Sequence, residues 1–278
     1  MVNVKEFVQS LNLDIGQTTR LNCPACAGVN TFVATRHADS LVTYHCYRPI
    51  CDTKGGYRAN MTAEDVTRYR EKVNNGDIVN KGRAKFELPE SIVANVPVHT
   101  NEDVAAYVTK YPWVLDYFDL RWDARENRLV YVVYDMQDDM VDAIGRSVVV
   151  NHKQPKSRFY GDGNTPVVLY SEDNARSHRS VVVVEDICSA VRLNILADFN
   201  VVALSGTYMK PSYIPYLTQF DKCVIMLDAD ALDKNIKMAN QMDQYMPSKS
   251  YSISDYDVKD LPKDRFEGLC EKLYKLGA

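Results

Sequence analysis

Two groups of residues in this 278-residue chain have the types and spacing to do chemistry. Cys23-Pro24-Ala25-Cys26 is followed after nineteen residues by Cys46-Tyr47-Arg48-Pro49-Ile50-Cys51. Two turns of this kind can each present two thiolates to one tetrahedral ion. Far downstream, Val181-Val182-Val183-Val184 ends in Glu185, and Val224-Ile225-Met226-Leu227 ends in Asp228 with Asp230 just beyond. Short apolar runs tipped with acid read as strands of a parallel sheet, whose carboxyl ends are where ligands bind. Three carboxylates on one edge repel one another until a cation neutralises them, and hard oxygen ligands suit magnesium. An Asp-X-Asp pair can also be a helix cap, a role open to Asp230 before Ala231.

The four cysteines predict a zinc site in a hairpin of strands at Thr31–Thr35 and Leu41–His45. So small a module has little core, and ligation would supply much of its folding free energy. His37 and His45 are the alternative ligands, but four sulfurs already close the site. Arg20, Arg36, Arg48, Lys54 and Arg58 interleave with Phe32, Tyr44, Tyr47 and Tyr57, a mixture that suits stacking and phosphate pairing on single strands. The same density of charge also fits a solvated face.

Composition sets the remaining bounds. Hydrophobic content of 46% supports a buried core, and a net charge of -4 restricts any nucleic-acid surface to a local patch. The N-terminal residues lack the apolar segment of a signal peptide, and no apolar run nears the roughly 20 residues that span a bilayer. A cytoplasmic protein without membrane contact is expected. In that compartment four clustered thiols favour metal over disulfides. Cys188, Cys223 and Cys270 each sit in apolar stretches and read as packing residues.

The elements that must position these groups fall into a recognisable order. A short helix over Val4–Leu11 precedes the cysteines, and Thr62-Ala63-Glu64-Asp65 opens another that runs to about Val73. Polar sequence from Asn74 to Arg83 reads as a linker. A helical region near Glu102–Phe118 leads to strands at Arg128–Tyr134 and Ala143–Val150. From Ser180 strands and helices alternate: strand Val181–Glu185, helix Asp186–Asp198, strand Val201–Leu204, helix Pro211–Phe220, strand Cys223–Asp228, helix Ala231–Tyr245. The expected fold is α/β, α+β overall. Its domains are a zinc ribbon (1–73), a linker (74–86), a mixed basic subdomain (87–178), and a parallel sheet flanked by helices (179–278).

Glu185 after a strand, then a strand ending in Ser205-Gly206-Thr207, then Leu227-Asp228-Ala229-Asp230, resembles a TOPRIM domain. Upstream, Arg128-Leu129-Val130-Tyr131, Ile144-Gly145-Arg146 and Lys156-Ser157-Arg158-Phe159-Tyr160 are similar to the basic subdomain of bacterial-type DNA primases. With the cysteine knuckles in front, the order resembles the bacteriophage primase family over nearly the whole chain. The resemblance implies a primase that joins ribonucleoside triphosphates into short RNA primers on single-stranded DNA.

It further implies zinc on Cys23, Cys26, Cys46 and Cys51, and catalytic magnesium, or manganese, on Glu185, Asp228 and Asp230. Nucleotide or template would be held by Arg128, Arg146, Lys156 and Arg158. Asp255-Tyr256-Asp257-Val258-Lys259-Asp260-Leu261 is similar to the acidic segment that closes the site in that family, which makes Asp257 and Lys259 candidates. Two departures stand out. Asp186 replaces the glycine common after the glutamate, and Ser189 stands where an acid is common; Asp186 either compensates or caps the next helix. No Gly-x-x-x-x-Gly-Lys-Ser/Thr loop occurs, so a replicative helicase of the primosome, if used, would be a separate chain, and a phage-encoded protein would work in the host cytoplasm. Two other classes share the parts: a recombination-mediator-like DNA scaffold and a TOPRIM nuclease.

Overall fold

A computed structural model describes residues 3–37, 40–74, 86–149, 155–172, 179–252 and 256–277. The chain divides into two compact units, Met1–Lys81 and Gly82–Ala278. Residues 75–85 of the expected linker lie outside the described residues, as does Asp255.

In the first unit, α1 (Val4–Ser10) is capped by Asn3, whose side chain accepts from the backbone of Lys5 and Glu6, a cap worth about 1 kcal/mol. Strands β1 (Thr18–Leu21), β2 (Phe32–Arg36), β3 (Leu41–Cys46) and β4 (Lys54–Arg58) form an antiparallel sheet in that order. The expected hairpin is therefore the centre of a larger sheet. Val8, Phe32, Ala34 and Val42 bury together with Cys23 and Cys46. Helix α2 (Ala63–Asn74) starts with a reciprocal cap, Thr62 Oγ1 accepting from Asp65 N and Asp65 Oδ2 accepting from Thr62 N. Asp65 also binds Arg36 at 3.2 Å.

The second unit holds two sheets. Strands β5 (Ile92–Val93), β6 (Leu120–Asp123), β7 (Arg128–Tyr134), β8 (Met140–Ser147) and β9 (Ser157–Phe159) pair antiparallel in chain order. Helix α3 (Glu102–Lys110) lies between β5 and β6 and does not reach Phe118 as expected. Pro112 disfavours helical geometry at Tyr111, which sits at φ -130°, and only a 3₁₀ turn, Pro112–Asp116, follows.

The other sheet has the order β10 (Val167–Leu169), β12 (Val201–Ala203), β11 (Ser180–Val184), β13 (Lys222–Met226) and β14 (Ser248–Ser250). Strand β10 is antiparallel to β12; the rest are parallel. Helices α4 (Ile187–Ala197), α5 (Ile214–Leu217), α6 (Leu232–Met242) and α7 (Lys263–Leu276) complete the alternation. The Pro211–Phe220 helix shrinks to a 3₁₀ turn plus α5. All five residues of β11 are buried, as a strand covered on both faces requires. Register pairs Val184 with Met226 and with Ala203, so Glu185, Asp228 and Ser205 leave the sheet at one edge. The architecture is the expected mixed α/β arrangement. No helix among the described residues is long and apolar enough to cross a membrane.

Candidate metal centre and acidic cavity

The two cysteine turns meet. Cys23 and Cys26 occupy a tight loop closed by Ala27 N donating to Cys23 O, while Cys46 ends β3 and Cys51 N donates to Arg48 O. One sulfur atom from each cysteine lies within 4.8 Å of the others. Sγ–Sγ distances of 3.9 Å (Cys23–Cys51) and 3.8 Å (Cys26–Cys46) match the edge of a tetrahedron, about 3.8 Å for sulfurs about 2.3 Å from one ion. Hydroxyls support the thiolates. Contact with Thr53 comes first in lowering Cys51 to about 6, and Thr31 lies 3.4 Å from Cys46 Sγ and lowers that group too. Burial instead pushes Cys23 up to about 11. Gly28 is required here, since a Cβ would stand 2.5 Å from Thr31 Oγ1 and 3.4 Å from Cys26 Sγ. His37 is engaged with Thr43 Oγ1 at 2.8 Å and His45 packs its ring on Tyr47; among the described residues the four sulfurs form the group that could hold a metal ion.

Several residues expected to face nucleic acid do other work in this module. Phe32 is fully buried in the core. Arg36 is 8% exposed and binds Leu13 O, Asn60 O and Asp65. Arg48 reaches Cys26 O at 3.2 Å. Tyr47 remains outward at 64% exposed.

In the second unit, Glu185, Asp228, Asp230 and Asp257 border an open cavity of about 810 Å³ together with Lys156, Ala229, Tyr256 and Asp260. The parallel register delivers the first three from neighbouring strand ends. Asp186 caps α4, accepting from Cys188 N, Ser189 N and Ser189 Oγ, and pairs with Lys259 at 3.0 Å. It is thus a cap and an ion-pair partner at once. Ser189 fills its unexpected position by linking Asp186 to the backbone N–H of Lys259. Lys259 also contacts Asp257. Six carboxylates (Glu185, Asp186, Asp228, Asp230, Asp257, Asp260) face three ammonium groups (Lys156, Lys259 and Lys110, the last on Asp260), leaving three formal negative charges.

That imbalance shows in the proton affinities. Burial, then the Asp257 carboxylate, raises Asp228 to about 7, with Lys259 opposing. Burial, then Asp230, raises Glu185. Glu185 Oε2 is buried with no hydrogen-bond partner, an orphan that a cation would satisfy. Among the described residues no three of these carboxylates bring oxygens within 4.8 Å of one another; only the cysteines do. The acids surround a space, not a point.

The remaining basic candidates divide. Lys156 faces the cavity. Arg146 is half-buried, 3.3 Å from Ser157 Oγ; burial disfavours its charge, but Tyr107 and Asp186 outweigh this and raise its pKa. Arg158 is partly exposed, pairs with Glu126 and lies over the Tyr160 ring. Arg128 corrects the expectation most clearly. It is 1% exposed, and its guanidinium binds Glu126 and the carbonyls of Gly145, Pro155 and Lys156. Gly145 makes room for it, because a Cβ there would meet Arg128 Cδ at 2.9 Å. So placed, Arg128 pins β7 to β8 and the approach to β9. Sequence reasoning missed Asp260, which is held by Lys110 at 2.8 Å and the Tyr111 hydroxyl at 2.9 Å, although it adjoins the Lys259 candidate.

No family model and no curated protein matches the sequence. Solved structures do. The catalytic domain of the primase DnaG, bound to single-stranded DNA, is similar with a TM-score of 0.51 and 16% identity over 75% of this chain and 80% of that one. The Aquifex aeolicus primase, comprising zinc-binding and RNA polymerase domains, aligns over 99% of this chain and 82% of that one at 15% identity and TM-score 0.43. A Pseudomonas aeruginosa DNA primase domain aligns at 16% identity and TM-score 0.44 over 57% of each chain, so this chain spans just over half that protein's length. At the level of fold, the chain resembles the bacterial-type primases, as expected.

Proposed function

We propose that this protein is a DNA primase that synthesises short RNA on single-stranded DNA by nucleotidyl transfer. The observation that carries the reading is the convergence of Glu185, Asp228 and Asp230 with Lys156 around one cavity at the carboxyl edge of a parallel sheet. Likeness in fold to the DnaG catalytic domain supports it. The units are read as a zinc ribbon (1–73), a linker (74–86), a basic subdomain (87–178) and a TOPRIM-like subdomain (179–278).

In the reaction, the 3′-hydroxyl of one ribonucleotide attacks the α-phosphate of the next and pyrophosphate leaves. Glu185, Asp228 and Asp230 would hold magnesium, for which manganese can substitute; it would neutralise charge building on the phosphoryl oxygens. The orphaned Glu185 Oε2 and the raised Asp228 fit that task. Lys156 supplies a cation to a phosphate at the cavity mouth, and Arg146 and Arg158 extend the basic path. Lys259 keeps Asp257 and Asp186 oriented.

Zinc on the four cysteines would fold the N-terminal module, whose exposed Tyr47 and neighbouring cations offer a surface to template. A separate helicase would bring the chain to unwound DNA in the host cytoplasm. Incubation with single-stranded DNA and labelled ribonucleotides tests the reading: RNA products support it, shortened DNA indicates a nuclease, and retention without products indicates a scaffold.

A further inference from the structure

Arg192 lies on the buried face of α4, the helix that begins two residues after Glu185, and is 6% exposed. Its Nη1 donates to three carbonyl oxygens of a single turn: Val258 at 2.8 Å, Lys259 at 3.2 Å and Leu261 at 2.7 Å. The guanidinium is sandwiched between aromatic rings, 4.7 Å from the Trp113 centroid and 4.2 Å from Phe266. Among the described residues no carboxylate pairs with it. Burial lowers its pKa, which marks an incompletely compensated charge.

A buried cation of this kind is a poor device for stability alone, since well-packed apolar groups often do as well. Its geometry is specific instead. The same turn is gripped from another side, where Lys110 and the Tyr111 hydroxyl bind Asp260. Trp113 follows them in sequence and donates its indole N–H to Cys188 O on α4. Ser189 Oγ accepts from Lys259 N. Arg192 and Ser189 of α4 thus fix the backbone from Val258 to Leu261, and Lys110 with Tyr111 holds the Asp260 side chain, while Asp257 faces the cavity and the Lys259 ammonium reaches Asp186.

We propose that Arg192 is a positioning residue that clamps the Val258–Leu261 turn, and through it fixes Asp257 and Lys259 at the acidic cavity. The proposal rests on reading that cavity as a cation-dependent site. It predicts a local effect. Arg192→Lys keeps a cation but loses the planar guanidinium that lies over the Trp113 and Phe266 rings and carries Nη1 to the three carbonyls, so it should loosen the turn and leave the sheet intact.

The test compares the full-length parent with Arg192→Lys. Hydrogen exchange at the Asp260 and Leu261 amides, which donate to Asp257 O and Val258 O, should quicken about ten-fold, with β11 and β13 amides unchanged. The manganese concentration giving half of the maximal thermal shift should rise several-fold, and the metal midpoint for primer synthesis should rise with it while template affinity holds. Parent-level protection and metal response in the variant would overturn the clamp. Should Arg192→Lys not fold, Arg192→Met fills the space beside Trp113 and Phe266 with no hydrogen-bond donor; parent-level exchange of the turn in that folded variant would also overturn the proposal. A parent protein that makes no primers refutes the primase reading, and exchange together with the manganese shift still judges the clamp.

Discussion

The ammonium of Lys259 stands 3.0 Å from Asp186 Oδ2, and its side chain is 9% exposed. One buried cation thereby joins the cap of the helix after Glu185 to the segment carrying Asp257. The pair accounts for both departures from the expected motif, because Asp186 and Ser189 build the socket for Lys259. Even so, the cavity keeps more negative than positive charge.

Asp228 should make the second unit less stable as pH rises through mild acidity. Its folded pKa is raised to about 7, against about 3.9 in an unfolded chain. A carboxyl raised in this way favours folding below about pH 4, and that contribution is lost as pH climbs to about 7. Glu185, Asp186 and Asp257 push in the same direction, and Lys259 opposes. Without added divalent cation, the unfolding midpoint of the parent should fall more steeply between these limits than that of Asp228→Asn. Parallel curves would mean that Asp228 ionises normally.

The cysteine cage should hold about one zinc per chain. Cys46→Ser should lose that ion and unfold the N-terminal module, since ligation in small zinc modules is worth on the order of 10 kcal/mol. Metal analysis with amide protection in β2 and β3 reads both effects. A protected sheet in metal-free protein would show that the core of Phe32, Ala34 and Val42 suffices.

How far the sequence revealed these features depends on how local each signal is. The Cys23–Cys51 spacing and the acid-tipped strands ending in Glu185 and Asp228 were legible, because ligand spacing and strand-end position are carried by nearby residues. The α4 cap was legible as one of two alternatives. The fate of Arg128 was not, since its partners at Gly145, Pro155 and Lys156 arrive only when β7 pairs with β8. Arg36 and Phe32 misled for the same reason: alternation in β2 turns both inward. Arg192 left one usable trace, a lone charge inside the apolar run of α4. Pro112 was a helix stop that the apolar pattern on either side obscured.

Arg128→Ala should therefore cost stability and not template affinity. Removing the buried guanidinium takes a donor from three backbone carbonyls and from Glu126, which keeps only Arg158, a loss of about 3 kcal/mol. Denaturant unfolding should shift accordingly. Weaker template binding with unchanged stability would return Arg128 to the phosphate path.

Lys156→Ala should weaken binding of single-stranded DNA or nucleotide about equally across sequences and reduce the salt slope by about one charge. Arg146→Ala should act similarly but also destabilise, being half-buried. Affinity titrations at several salt concentrations check both. Parent-level slopes would place Lys156 on an ordinary surface.

The central claim meets its most direct test in primer synthesis by parent protein and Asp228→Asn, over a panel of single-stranded templates with labelled ribonucleotides and magnesium. The account predicts short, template-dependent RNA from the parent and a loss on the order of 10²-fold or more in the variant, with unchanged circular dichroism. Absence of RNA from the folded, zinc-loaded parent, or near-parent synthesis by Asp228→Asn, would contradict it.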